Sequence, residues 1–246
     1  MKTLFLAWQD RSPKRAWYPI GRLEADVPAS RYEFRYTKGA ENAQREAGFP
    51  ALPAFPDLHR RYESSELFPL FQNRVLDPRR KDFSDYLRWM DLSPEQNDPI
   101  EILAVSGGQR QTDSLEVFPK ITKRADGSFV CRFFLHGIRH VSKPAQERFT
   151  QLRADEPLRV SVELNNPATG VAIQLSSEDY QMLGWTPRYL VEDLFLAVAN
   201  APVLEAKVVH VNAPGVPLNQ RVLVEFSGCL PEGTEPMSSE PFQPLA

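Results

Sequence analysis

Chemistry at a protein site needs a nucleophile beside a base, a tuned acid–base pair or a metal-binding set, and few residues here are spaced for any of these. The histidines are His59, His136, His140 and His210, and none stands in HExxH or another ligand spacing, so no zinc site is expected. Cys131 and Cys229 are the two cysteines, too few for a disulfide framework or a Cys-based metal centre. No GxSxG elbow, kinase catalytic loop or cysteine with a local partner is present. Glu178-Asp179 and Glu192-Asp193 adjoin turn or helix-start signals, which predicts solvated carboxylates rather than acid–base work. No catalytic residue, metal or cofactor is expected. The chain reads as a binding protein, not an enzyme.

Two segments invite a phosphate-binding reading. Val105-Ser106-Gly107-Gly108-Gln109-Arg110 resembles the signature loop of ABC-type ATPases, but that loop works opposite a GxxxxGK[ST] segment, which this chain lacks. A glycine helix stop is the expectation there. The cluster Arg74, Arg79, Arg80, Lys81 and Arg88 falls near a break between two helical segments and offers phosphate contacts. Asp77, Asp82 and Asp85 interleave it and could compensate its charge.

Charge argues against a protein that coats duplex DNA. Net charge is −3: residues 1–130 carry 20 basic and 19 acidic side chains, residues 131–228 carry 9 and 10, and the rest carries three Glu and no base. Phosphate neutralisation drives duplex binding and normally demands a basic surplus. Any nucleic-acid site must be small and local. No apolar run approaches the ~20 residues of a membrane span, so no membrane partner is expected. The start, MKTLFLAWQD, is followed by Arg11-Ser12-Pro13-Lys14-Arg15 rather than a small-residue cleavage site, and reads as a first strand of a cytoplasmic protein.

The elements that would carry these residues fall into two sets. Leu4, Leu6 and Trp8, then Trp17 to Leu23, then Tyr32, Phe34 and Tyr36, predict three strands of an antiparallel meander with one wet face. Helices are predicted after Ser64-Ser65-Glu66, over Asp82 to Asp91, and from Pro99 until Gly107-Gly108. From Phe129 the rhythm turns to strands: Phe129 to His136, Leu158 to Leu164, Val171 to Leu175, Leu183 to Thr186, Val203 to Val211 and Val222 to Phe226. Short helices are predicted over Pro144 to Leu152 and Arg188 to Ala201. This is an α+β chain of 246 residues, with a lobe over 1–115, a β-rich module over 127–230 and a Pro-rich, disordered tail over 231–246.

In the β-rich part, Leu135-His136-Gly137-Ile138-Arg139-His140, then Asn165-Asn166-Pro167 before Val171-Ala172-Ile173, then Leu183-Gly184-Trp185-Thr186-Pro187-Arg188 occur in order. About residues 131–228 resemble a HIRAN domain, a module at the front of Swi/Snf-type fork-remodelling ATPases and alone in many bacterial proteins. The resemblance implies a small β-barrel of OB- and SH3-like shape that grips the 3′ end of single-stranded DNA. Arg139 and His140 match the family's Arg–aromatic pair, Arg188 matches a phosphate-contacting base, and Trp185 is a nearby apolar contact. Asn166 and Thr169 would support them. The family's turn carries N-P-x-D, often with an aromatic at x; here Ala168 cannot stack and Thr169 brings no charge. A missing stack forfeits ~1–3 kcal/mol per base, so end recognition could be altered and the fold could serve a protein partner instead.

The first half is similar to the N-terminal subdomain of HipA-type proteins through Gly21-Arg22-Leu23, Tyr32-Glu33-Phe34-Arg35-Tyr36 and Leu67-Phe68-Pro69-Leu70-Phe71-Gln72-Asn73-Arg74. That likeness covers roughly residues 17–105 and implies a packing lobe without the kinase lobe. Two functions follow as expectations: binding of single-stranded DNA or DNA ends, or a protein–protein adaptor or antitoxin-like subunit of a bacterial defence or stress complex.

Overall fold

The computed structural model describes residues 1–199 and 204–245. The chain folds as two units: Met1–Ser84 with Ser93–Lys120 and Met237 to the C terminus, and Asp85–Leu92 with Ile121–Pro236. Both are mixtures of helices with antiparallel sheets, an α+β architecture. No helix among the described residues is long and apolar enough to cross a membrane.

The first unit begins with β1 (Lys2–Gln9), β2 (Trp17–Asp26) and β3 (Arg31–Tyr36), the meander that alternation predicts. Helix α1 (Lys38–Ala47) follows, then β4 (Tyr62–Ser64) and the single turn α2 (Pro69–Gln72). Helix α3 (Phe83–Trp89) straddles the division between units, and α4 (Pro99–Ser106) and β5 (Leu115–Pro119) return to the first. The sheet order is β4-β3-β2-β1-β5. The Asp98 carboxylate caps α4 by accepting from the Ile100 amide, Pro99 fits its first turn, and Gly107 ends it in a left-handed conformation (φ 71°). Gly107 is thus the expected helix stop.

The wet face expected of this meander is covered. In β1, Leu4, Phe5, Leu6 and Ala7 are all buried. Leu4 and Leu6 join a core with Phe34, Tyr36 and Phe55, while Phe5 packs against Phe118 and Phe242 at ring separations of 5.7 and 5.0 Å. Phe242 belongs to the stretch expected to be disordered. That stretch is ordered because it buries an aromatic ring and supplies backbone partners: Lys38 N donates to Gln243 O (2.8 Å) and Leu245 N to Tyr36 O (2.9 Å). Composition reported its prolines and missed its docking. The α1 helix went unseen for a related reason: its buried residues are Gly39, Ala40 and Ala43, too small to write an apolar stripe.

The second unit contains β6 (Ser128–Phe134), α5 (Lys143–Arg148), β7 (Pro157–Asn166), β8 (Gly170–Ser176), β9 (Met182–Trp185), α6 (Val191–Ala199), β10 (Glu205–Val211) and β11 (Val222–Cys229). These match the predicted strands and helices closely; the expected helix end at Ala201 and strand start at Val203 lie outside the described residues. The strands order β6-β11-β10-β7-β8-β9, all neighbours antiparallel. Among the described residues this is an open sheet, not the closed barrel expected. Its two edges meet at one isolated bridge, where His136 N donates to Trp185 O (2.9 Å) and Trp185 N to His136 O (3.0 Å). The C-terminal part of α3 is tied to this unit by buried Asn212, whose Nδ2 donates to Trp89 O (2.8 Å) and Gln220 O (2.7 Å).

Candidate nucleic-acid interface

The His136–Trp185 bridge brings two of the three motif segments together. Gly137, directly after it, sits at φ 73°, where a Cβ would lie 2.4 Å from Cε3 of the Trp185 indole. Opposite it, a Cβ on Gly184 would lie 2.7 Å from His136 O. Both motif glycines therefore serve close packing: one lets backbone lie on the indole, the other lets two strand edges touch. Past Gly137 the chain makes a 3₁₀ turn, Ile138–His140, that buries Ile138 and leaves Arg139 and His140 exposed. Arg139 Nε donates to His140 Nε2 at 2.9 Å, and Arg139 pairs with no carboxylate among the described residues.

The third segment arrives through a carboxylate that motif reading passed over. Glu163 Oε2 accepts from Trp185 Nε1 (3.0 Å), Asn166 Nδ2 (3.0 Å) and Gln174 Nε2 (2.9 Å). Donation first by Asn166, then by Trp185 and Gln174, holds the Glu163 carboxyl below the usual glutamate range, so it is ionised at neutral pH. Asn166 Oδ1 in turn accepts from Ala168 N (3.0 Å), Thr169 N (3.1 Å) and Thr169 Oγ1 (3.0 Å). That is an Asx turn. The Thr169 hydroxyl proton is thus committed to the turn, leaving the oxygen as an acceptor. The signal for Glu163 was present in the alternation of its strand: it lies on the polar side, three residues before Asn166, but nothing in one strand tells which neighbours will converge on it.

Trp185 and Asn166 are half-buried, and Thr169 is exposed. Arg188 opens a 3₁₀ turn, Arg188–Leu190, after Pro187 and is half-buried. The fold gathers Asn166 and Trp185 on Glu163, ties Thr169 to Asn166, and sets the Arg139–His140 turn two residues past the glycine that packs on the indole. The turn provides no aromatic at position 168.

The cluster at 74–88 does not form a phosphate site of the kind expected. Arg74 is buried, with its Nη1 donating to Gly108 O (2.9 Å) and its Nη2 bound to Asp113 Oδ2 (2.5 Å); it holds the loop after α4. Arg79 pairs with Asp77 (2.7 Å), Arg80 with Asp82 (2.9 Å) and Arg88 with Asp85. The Arg79 hydrogen bonds pull the Asp77 carboxyl down to about 2. Lys81 is exposed, and Arg88 falls in the other unit. No group of three or more His, Cys, Asp or Glu among the described residues is placed to hold a metal.

No protein-family model matches the sequence, and no curated protein matches it. Two solved structures are similar over part of the chain. A protein from Lactobacillus plantarum shares 17% identity over 42% of this chain and 99% of its own, with a TM-score of 0.33. The HIRAN domain of human HLTF shares 17% identity over 43% of this chain and 84% of its own, with a TM-score of 0.30.

Proposed function

We propose that this chain is a non-enzymatic nucleic-acid-binding protein whose second unit engages single-stranded DNA or a DNA 3′ end. One observation carries the reading: three segments far apart in sequence, at 136–140, 163–169 and 185, converge through the His136–Trp185 bridge and the Glu163 carboxylate. The convergence joins an indole to an amide-and-hydroxyl turn, and the reading adds Arg139, three residues past His136 and without an acidic partner among the described residues, as the cation of the site. An end site needs those parts and little more: a face for stacking, a base for one phosphate, and polar atoms for a terminal hydroxyl. A near-neutral net charge suits such a site, because one or two cations suffice.

Trp185 would contact a base, Arg139 and Arg188 a phosphate, and Asn166 and Thr169 the sugar end, with His140 orienting Arg139. The test is fluorescence anisotropy with a labelled single strand carrying a free 3′-hydroxyl, the same strand with a blocked end, and a blunt duplex, each at two salt concentrations. Tighter binding of the free end supports end recognition. Equal binding of free and blocked single strands supports a backbone groove. Absence of binding to all three sinks the nucleic-acid reading, and a stoichiometric protein partner would then favour the adaptor.

A further inference from the structure

The face of the sheet that presents Trp185 continues beyond it. Along β7, Arg159, Ser161 and Glu163 alternate onto one side, and the register Ser161↔Gln174↔Trp185 carries that side across β8 and β9. Glu163 holds the indole at one end of this row. At the other end, the loop Ser177–Gln181 between β8 and β9 lays Tyr180 on Arg159, with the guanidinium carbon 4.4 Å from the ring centroid. Since both aromatic rings are fastened to side chains of the same row on β7, they lie on the same face. Met182 to Trp185 separates the two ends by ~10 Å of strand.

Three features set Tyr180 apart from an ordinary surface tyrosine. Its side is open, with 74% of the residue exposed, the most exposed aromatic among the described residues. Its backbone is left-handed, at φ 64°, and it is the one aromatic among the non-glycine residues with positive φ. Bulky residues rarely adopt that conformation, and it persists only where surroundings hold it. Finally, Arg159 beneath the ring makes a hydrogen bond to Glu178 O (3.3 Å) but no ion pair among the described residues. The cleft next to the loop includes Arg153, whose guanidinium likewise has no carboxylate partner among the described residues, while Asp179 and Glu156 are paired with Arg148.

We propose that Arg159 and Tyr180 form a second base-stacking platform, so that a single strand engaged at Trp185 continues across β7–β9 to Tyr180. This rests on the nucleic-acid reading above and extends it. A ring polarised by a cation on one side offers its other side to a base, and a sequence-tolerant stack is how such tracks hold single strands. Glu178, adjacent in the loop, disfavours a phosphate at the tip and leaves that position to the base.

The experiment compares oligonucleotides of about three and about twelve nucleotides, the longer within the ~4–16-nucleotide range of single-domain binders. Wild type, Tyr180→Ala, Tyr180→Phe, Tyr180→Gly and Arg139→Ala/Arg188→Ala are measured on both lengths. For the long strand, Tyr180→Ala should weaken binding roughly 5- to 150-fold, the equivalent of ~1–3 kcal/mol for one stacked base. Binding of the short strand should not change, and Tyr180→Phe should behave as wild type. Tyr180→Gly separates ligand contact from structure: glycine relaxes the positive φ and should raise Tm slightly while still losing long-strand affinity. If Tyr180→Ala and Tyr180→Gly bind the long strand like wild type while Arg139→Ala/Arg188→Ala loses binding, the platform is refuted and the primary site stands. If wild type binds neither strand, both readings fall.

Discussion

Two groups of arginines teach opposite lessons about charge. In the first unit, Arg74, Arg79 and Arg80 each reach a carboxylate, so the densest basic stretch of the sequence has little charge left to offer a ligand. In the second unit, Arg139 and Arg159 stand in less basic surroundings, and neither pairs with a carboxylate among the described residues. A guanidinium already bonded to a carboxylate must break that contact before it meets a phosphate, whereas one resting on a ring or an imidazole loses little. Availability, not density, separates a binding cation from a structural one.

The contrast can be broken in several places. The largest expected effect is at Asp113: Asp113→Ala leaves the Arg74 guanidinium buried without its counter-charge, and should cost ~3–5 kcal/mol in denaturant melts without changing DNA affinity at folded-state temperatures. An equal loss of DNA affinity would show that Arg74 matters to the ligand after all. Next comes Gly137→Ala, which adds a methyl into the Trp185 indole at a left-handed backbone. It should cost ~2–4 kcal/mol and lower DNA affinity together, since the edges of the sheet and the indole shift as one.

A third variant sharpens the role of Glu163. Its folded-state pKa is depressed by Asn166, Trp185 and Gln174, so its contribution is present above the ordinary glutamate value of ~4.3 and is lost as pH falls through the lowered folded value. Native protein should therefore lose stability on acidification below about pH 4, and Glu163→Gln should lack that component while showing altered tryptophan fluorescence at neutral pH. An unchanged acid profile in Glu163→Gln would remove Glu163 from the account. The smallest effect is expected at Arg79→Ala/Arg80→Ala: both ion pairs lie in solvent, where screening and side-chain entropy offset the attraction, so stability and DNA affinity should both hold nearly steady. In the same assay Arg139→Ala/Arg188→Ala should flatten the salt dependence by about 1.4 in log–log slope, as expected for two phosphate contacts on a single strand.

Much of the second unit was legible because its strands alternate cleanly and its turns are written in Asn, Pro and Gly: Asn166 to Gly170 is a turn in composition and in structure. The motif residues were legible too, as separate points. What joins them was not, because Glu163, Gly137 and Gln174 act on partners up to 48 residues away, from Gly137 to Trp185. The same limit hid Arg74, whose charge looks like its neighbours' until Asp113 is folded against it.

By itself the sequence determined the α+β class, the run of strands after Phe129 and the capped helix from Pro99 to Gly107, because periodicity, capping and turn chemistry act over a few residues. Only the tertiary structure decided that the sheet edges meet at a single bridge, that Phe242 closes the far face of β1, and that Tyr180 rests on Arg159 in the row that holds Trp185. Those outcomes depend on which side chains become neighbours when distant segments pack, and a contact across dozens of residues leaves no local pattern to read.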